Sequence, residues 1–179
     1  MYWKEVESGQ PDEHWIYATG WITEMDGGQV VGTRFATYKY DATHEDPFFA
    51  PPVPTAKAFF PPMGGPGHVS IQSGDSYKAV DMVVDELTGD VYVVGEGPAS
   101  PGGTNQDYIV VKYNKDLEPV WTPQASFYDG PVSGDDIPAD IGMDVSVEVV
   151  VVTGSSPGNG TGLDIATVAF NTSDGSKVT

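Results

Sequence analysis

The 179-residue chain carries 26 acidic residues against 8 basic ones, a formal net charge of −18. Such a chain repels phosphate backbones and anionic bilayers, which argues against nucleic-acid binding and against adsorption to a membrane surface. Cysteine is absent, so disulfides and thiolate-held metals are excluded, and no run approaches the roughly 20 apolar residues of a membrane span.

Met1 to His14 are polar and unpatterned, which reads as a frayed terminus. The opening Met1-Tyr-Trp-Lys-Glu-Val-Glu7 has neither the basic start nor the apolar centre of a signal peptide. Trp15 to Thr23 reads as a strand, Glu24 to Gly28 as a turn, and Val30 to Asp41 as a second strand whose two faces are both partly apolar. From Ala42 to Gly74 prolines stand among Phe48, Phe49, Phe59 and Phe60. So many prolines exclude a central strand or a helix interior. The expectation there is an outer edge strand followed by a long loop that packs its phenylalanines on the neighbouring sheet. The alternative is a partner-docking surface anchored by Phe59 and Phe60.

The next stretch carries the fold. Ala79 to Asp85, Val91 to Gly95, Asp107 to Asn114 and Pro119 to Trp121 read as four short strands. Asp85-Glu-Leu-Thr-Gly-Asp90 and Asn114-Lys-Asp-Leu-Glu118 supply the tight turns, and Glu96 to Gln106 a Gly/Pro/Ser/Asn loop. A shift of 59 residues places Asp81 on Asp140, Asp85 on Asp144, and Val91-Tyr-Val-Val-Gly95 on Val150-Val-Val-Thr-Gly154. Asp107 to Asn114 then falls on Asp164 to Asn171, and upstream Trp15 to Gly20 and Arg34 to Asp41 repeat the second and third strands. Repetition at this period is the mark of a modular architecture. The chain therefore divides into a partial first unit with its Pro/Phe-rich loop (1–73), a complete unit (74–134) and a third unit truncated in its last strand (135–179). The expected fold is all-β, about three copies of a four-stranded antiparallel meander.

These units, with Val-Asp-x-x-x-Gly-Asp-Val-Tyr-Val-x-Gly followed by Asp-Tyr-Ile-Val-Val-Lys-Tyr-Asn and Val-Trp, resemble the bacterial β-propeller repeats called SBBP repeats. The resemblance implies one four-stranded blade per copy, packed radially about a channel, in proteins that are mostly extracellular or at the cell surface. It carries no catalytic residues over. A closed propeller needs roughly four to eight blades. About three copies therefore imply either a piece of a longer polypeptide or a homo-oligomer that closes a ring.

The repeated carboxylates are the candidate site. Asp81 and Asp85 match Asp140 and Asp144, with Asp135 and Asp136 close by. Such oxygens suit calcium, a hard cation that takes six to eight of them. The competing reading is that repeated aspartates satisfy backbone amides at turns and strand ends. Asn159-Gly-Thr-Gly-Leu-Asp164 is oxygen-rich but lacks the alternating carboxylates of an EF-type loop. His14, His44 and His68 each stand alone. No nucleophile elbow or phosphate-binding lysine motif is present. The function expected is a non-enzymatic extracellular propeller module for binding a protein or carbohydrate, or for structural assembly, with no cofactor unless calcium. Alternatives are part of an enzymatic propeller, such as a glycosidase or a quinoprotein-like dehydrogenase, and a subunit of a self-assembling ring or filament.

Overall fold

The computed structural model describes residues 2–7, 14–42, 53–61, 72–100 and 102–178. Among them every regular element is a strand: β1 (Tyr2–Glu7), β2 (His14–Asp26), β3 (Gln29–Asp41), β4 (Ala56–Phe60), β5 (Asp75–Ser76), β6 (Lys78–Val84), β7 (Val91–Gly97), β8 (Asp107–Tyr113), β9 (Ala125–Tyr128), β10 (Ile137–Asp144), β11 (Val149–Gly158) and β12 (Gly162–Asn171). They form three sheets, each an antiparallel meander: β1-β2-β3-β4, β6-β7-β8-β9 and β10-β11-β12. The two-residue β5 pairs in parallel with β3 at the entry to the second sheet.

Four expectations are corrected. The first sheet does not lack its first strand, because β1 pairs with β2 from Tyr2↔Thr19 to Glu7↔His14. Glu24 to Asp26 continue β2, and the reversal is made by Gly27 and Gly28 at φ 55° and 83°. Pro119 makes an isolated bridge to Tyr113, and the outer strand of the second sheet is β9 instead. Phe60, offered as a partner anchor, is 6% exposed and lies inside the core between Phe35 and Tyr77. Phe59 is half-buried against Tyr38, at 6.3 Å and nearly perpendicular. The third sheet stops at three strands with a bridge from Phe170 to Lys177. Phe48, Phe49, His44 and His68 fall outside the described residues.

Alternation puts two different apolar surfaces on the middle sheet, because successive side chains of a strand point to opposite faces. Val91, Val93, Ile109 and Val111 face the first sheet and pack with Tyr17, Phe35 and Phe60. Tyr92, Val94, Tyr108 and Val110 face the third sheet and pack with Val150, Val152, Ala166 and Phe170. Strands β7 and β8, buried on both faces, therefore read as continuous apolar runs.

The two sheet-to-sheet contacts are built alike. A β-carbon added to Gly95 would sit 2.4 Å from the Phe35 ring, and one added to Gly154 would sit 2.6 Å from the Tyr108 hydroxyl. The third strand of one sheet thus sets the tip of an aromatic side chain, the Phe35 ring or the Tyr108 hydroxyl, on the glycine of the next sheet's second strand. A lysine repeats as well. Lys39 lies 4.0 Å over the Trp15 ring and reaches Asp116 at 3.3 Å, while Lys112 lies 5.2 Å over Tyr92 and donates to the Thr172 carbonyl at 3.0 Å. Each crosses to the turn that follows the third strand of the next sheet.

Two substitutions test this construction by thermal unfolding. Gly95→Ala meets the Lys78 carbonyl at 2.2 Å as well as Phe35, so it should lose about 2–3 kcal/mol or fail to fold. Glu148, exposed in the β10–β11 turn, holds φ 54° where the preceding unit has Gly89 at φ 77°. A non-glycine residue there costs about 1 kcal/mol, so Glu148→Gly should gain about 0.5–1 kcal/mol.

Candidate functional site

The six aspartates singled out by repetition separate into three places. Asp85 and Asp144 cap turns, accepting the Leu87 and Ser146 amides at 2.9 Å each, and join no carboxylate cluster among the described residues. Asp81 and Asp140 meet between the second and third sheets. A bulge in each inner strand, between Ala79 and Asp81 and between Pro138 and Asp140, sets them at equivalent positions. Asp81 accepts the Met82 amide at 2.8 Å and Asp140 the Ile141 amide at 2.9 Å, with Ile141 also donating to Asp81 at 3.3 Å. Burial, then the hydrogen bond shared with Asp140, pushes the Asp81 carboxyl up to about 6 against the opposing pull of those amides. The matching amide contacts make this pair a structural join.

Asp135 and Asp136 belong to the third place, where two residues not among the sequence candidates, Asp107 and Asp129, complete a cluster. One carboxylate oxygen each from Asp107, Asp129 and Asp136 lie within 4.8 Å of one another. Asp107 opens β8 and Asp129 follows β9, so the Tyr108↔Tyr128 pairing sets them side by side. Asp136 precedes β10 and is drawn in by its own amide, which donates to the Gln106 carbonyl at 2.6 Å. Asp135 stays exposed and accepts the Gln106 amide at 3.0 Å.

Asp136 is fully buried. Its Oδ2 accepts the Gly130 amide at 2.7 Å, but its Oδ1 is buried with no hydrogen-bond partner. The other buried side-chain atoms without a partner among the described residues are Gln106 Oε1 and Ser156 Oγ, and both belong to this junction. Gly130 lets Ser156 Oγ and Asp136 Oδ1 approach its backbone closely, since a β-carbon there would lie 2.2 Å from the first and 2.7 Å from the second. Burial raises the Asp107 carboxyl, the Asp129, Asp136 and Asp135 charges raise it further, and the Ala99 amide opposes them at 3.0 Å. Burial and the Asp136 charge also push the neighbouring Tyr108 hydroxyl up to about 12.

The junction between the first and second sheets shows what normally occupies these positions. There the strand registers align Arg34 with Asp107, Pro61 with Asp129 and Tyr77 with Asp136. Even the backbone bond is shared, Tyr77 amide to Thr33 carbonyl matching Asp136 amide to Gln106 carbonyl. At the first junction the Arg34 guanidinium donates to the Pro61 carbonyl and pairs with Glu24. At the second, three carboxylates stand where the first has a guanidinium, a proline and a tyrosine.

The Asp81 carboxyl supplies a pH test. Its folded value near 6 exceeds the ordinary 3.8, so the folded state binds the proton more tightly. The stability it contributes is complete below about pH 4 and is lost as pH rises through 6. Asp81→Asn mimics the protonated form and keeps the acceptor for Met82. It should melt above the wild type at pH 8, with the gap closing toward pH 4 in a series of thermal scans.

Compared with known protein families, curated proteins and solved structures, the chain finds no match in any of the three.

Proposed function

We propose that the chain is a non-enzymatic β-propeller-type module for binding or structural assembly outside the cell, and that calcium bound by Asp107, Asp129 and Asp136 locks its second and third blades together. The blade reading is supported by three successive meanders joined through one repeated contact. The observation that carries the calcium reading is a set of three carboxylates with one oxygen each within 4.8 Å of one another, of which Asp136 is fully buried and keeps Oδ1 without a partner. A buried carboxylate oxygen without a partner is costly, and an ion resolves it.

The donor set suits calcium in particular. Calcium holds oxygens at roughly 2.3–2.6 Å, so ligands of one ion stand no more than about 5 Å apart, a condition met by three carboxylate oxygens that all lie within 4.8 Å of one another. Three carboxylates from separate segments, two buried and one exposed, also fit its flexible coordination better than the strict octahedron of magnesium. Extracellular modules commonly bind calcium with dissociation constants of roughly 10⁻⁴–10⁻³ M, which accords with work outside the cell. A partner would be a protein or a carbohydrate.

Calcium added to the chelator-treated chain should raise its melting temperature, and sodium chloride of equal ionic strength should not. At about 100 times the dissociation constant the gain is about 2.7 kcal/mol, or roughly 5–10 °C for a chain of this size. Asp136→Asn should melt at or above the wild type without calcium, since it removes a charge from a crowded site, and should lose the calcium-induced rise. An equal rise in wild type and variant would sink the proposal.

A further inference from the structure

The two internal junctions define what the outer surfaces of the stack lack. In each, one sheet's third strand offers the side chain that settles on the next sheet's second-strand glycine: Phe35 on Gly95, then Tyr108 on Gly154. The same two positions recur once more, unused. In the third sheet the residue in register with Phe35 and Tyr108 is Ile165, which is 87% exposed, with Leu163 beside it at 70%. In the first sheet the residue in register with Gly95 and Gly154 is Gly20, and among the described residues a β-carbon there would meet nothing within 4 Å.

The faces around these two positions also match in size. Beside Ile165 the outer face of the third sheet carries Val151, Thr153, Thr167 and Ala169, all small or β-branched. Around Gly20 the outer face of the first sheet carries half-buried Ile16, Tyr38, Tyr40 and Phe59. Large rings thus stand opposite small side chains, as Tyr92 and Tyr108 stand opposite Val152 and Ala166 inside the molecule. Apolar sheet faces that meet nothing at Gly20 and Ile165 among the described residues are docking surfaces.

We infer that the occupant is a second copy of this chain, whose first sheet lays Gly20 under Ile165 and continues the internal junction from molecule to molecule. The contact is head-to-tail, using different faces of the two partners, and such contacts close into rings when the rotation allows. Two copies of the three described sheets make six, within the four to eight that a closed propeller takes. The two copies therefore cover each other's open faces in one ring. This inference does not rest on the calcium site.

Gly20→Phe and Ile165→Arg test it, because each changes a side chain that no described contact of the single chain uses. Light scattering of the wild type in about 0.15 M salt, which screens like charges beyond about 8 Å, should give twice the mass of the 19.0 kDa chain. Each variant alone should fall to the single-chain mass while keeping the wild-type circular dichroism spectrum. An equimolar mixture of the two should regain a pair, since Gly20→Phe retains an intact Ile165 face and Ile165→Arg an intact Gly20 face. A wild type of single-chain mass would overturn the inference, and so would an open series of larger assemblies. A dimer indifferent to Gly20→Phe would overturn it too, as that result means pairing of like faces.

Discussion

A ring seated on a glycine sets the distance between one sheet and the next. Phe35 can approach Gly95, and Tyr108 can approach Gly154, because neither glycine has a β-carbon to hold the ring off. Packed sheets stand about 10 Å apart, and a contact this close leaves little freedom to slide. The rest of each junction follows from that register. Lys39 and Lys112 come within reach of the following turn, Tyr17 donates to the Lys115 carbonyl at 2.9 Å, and Trp121 donates to the Thr172 carbonyl at 3.1 Å. Charged groups are thereby held between apolar sheets with their partners supplied.

The middle of the chain was legible because local chemistry and tertiary structure agree there. β7 and β8 are β-branched runs bounded by glycine and asparagine turns, and Ala79 to Asn114 folds as its pattern reads. Where the two disagree, the reading failed. Tyr2 to Glu7 has no apolar alternation, yet it becomes a strand because β2 offers a free edge to pair with. Pro119 to Trp121 looks like a strand from Val120 and Trp121, but Trp121 is committed to the inter-sheet core beside Tyr92 and the outer edge passes to β9. Phe59 and Phe60 are adjacent, so on a strand they face opposite ways, and one of them had to enter the core.

The acidic cluster was half visible for a related reason. Repetition picks out residues that recur, and Asp81, Asp85, Asp140 and Asp144 recur because each holds a backbone amide in the second and third units. A site unique to one junction shows the opposite signature, a position where the repeat changes character. Arg34 giving way to Asp107 is such a change, from a tethered cation to an anion. Asp129 joins only through strand pairing, and nothing in its neighbours marks it.

Asp129 and Asp136 bound the segment that leads from the second sheet to the third, Asp129-Gly-Pro-Val-Ser-Gly-Asp-Asp136. Both ends of this eight-residue connection point into one small volume. An ion held there would close the connection into a loop, as a covalent crosslink would, but reversibly. The covalent path between the two sheets would then be shortened whenever the ion is present and lengthened whenever it leaves. The packed sheets would stay in place, and the segment between them would be the part that gains or loses a restraint, so that an enzyme that cuts exposed backbone would find the same eight residues offered or withheld accordingly.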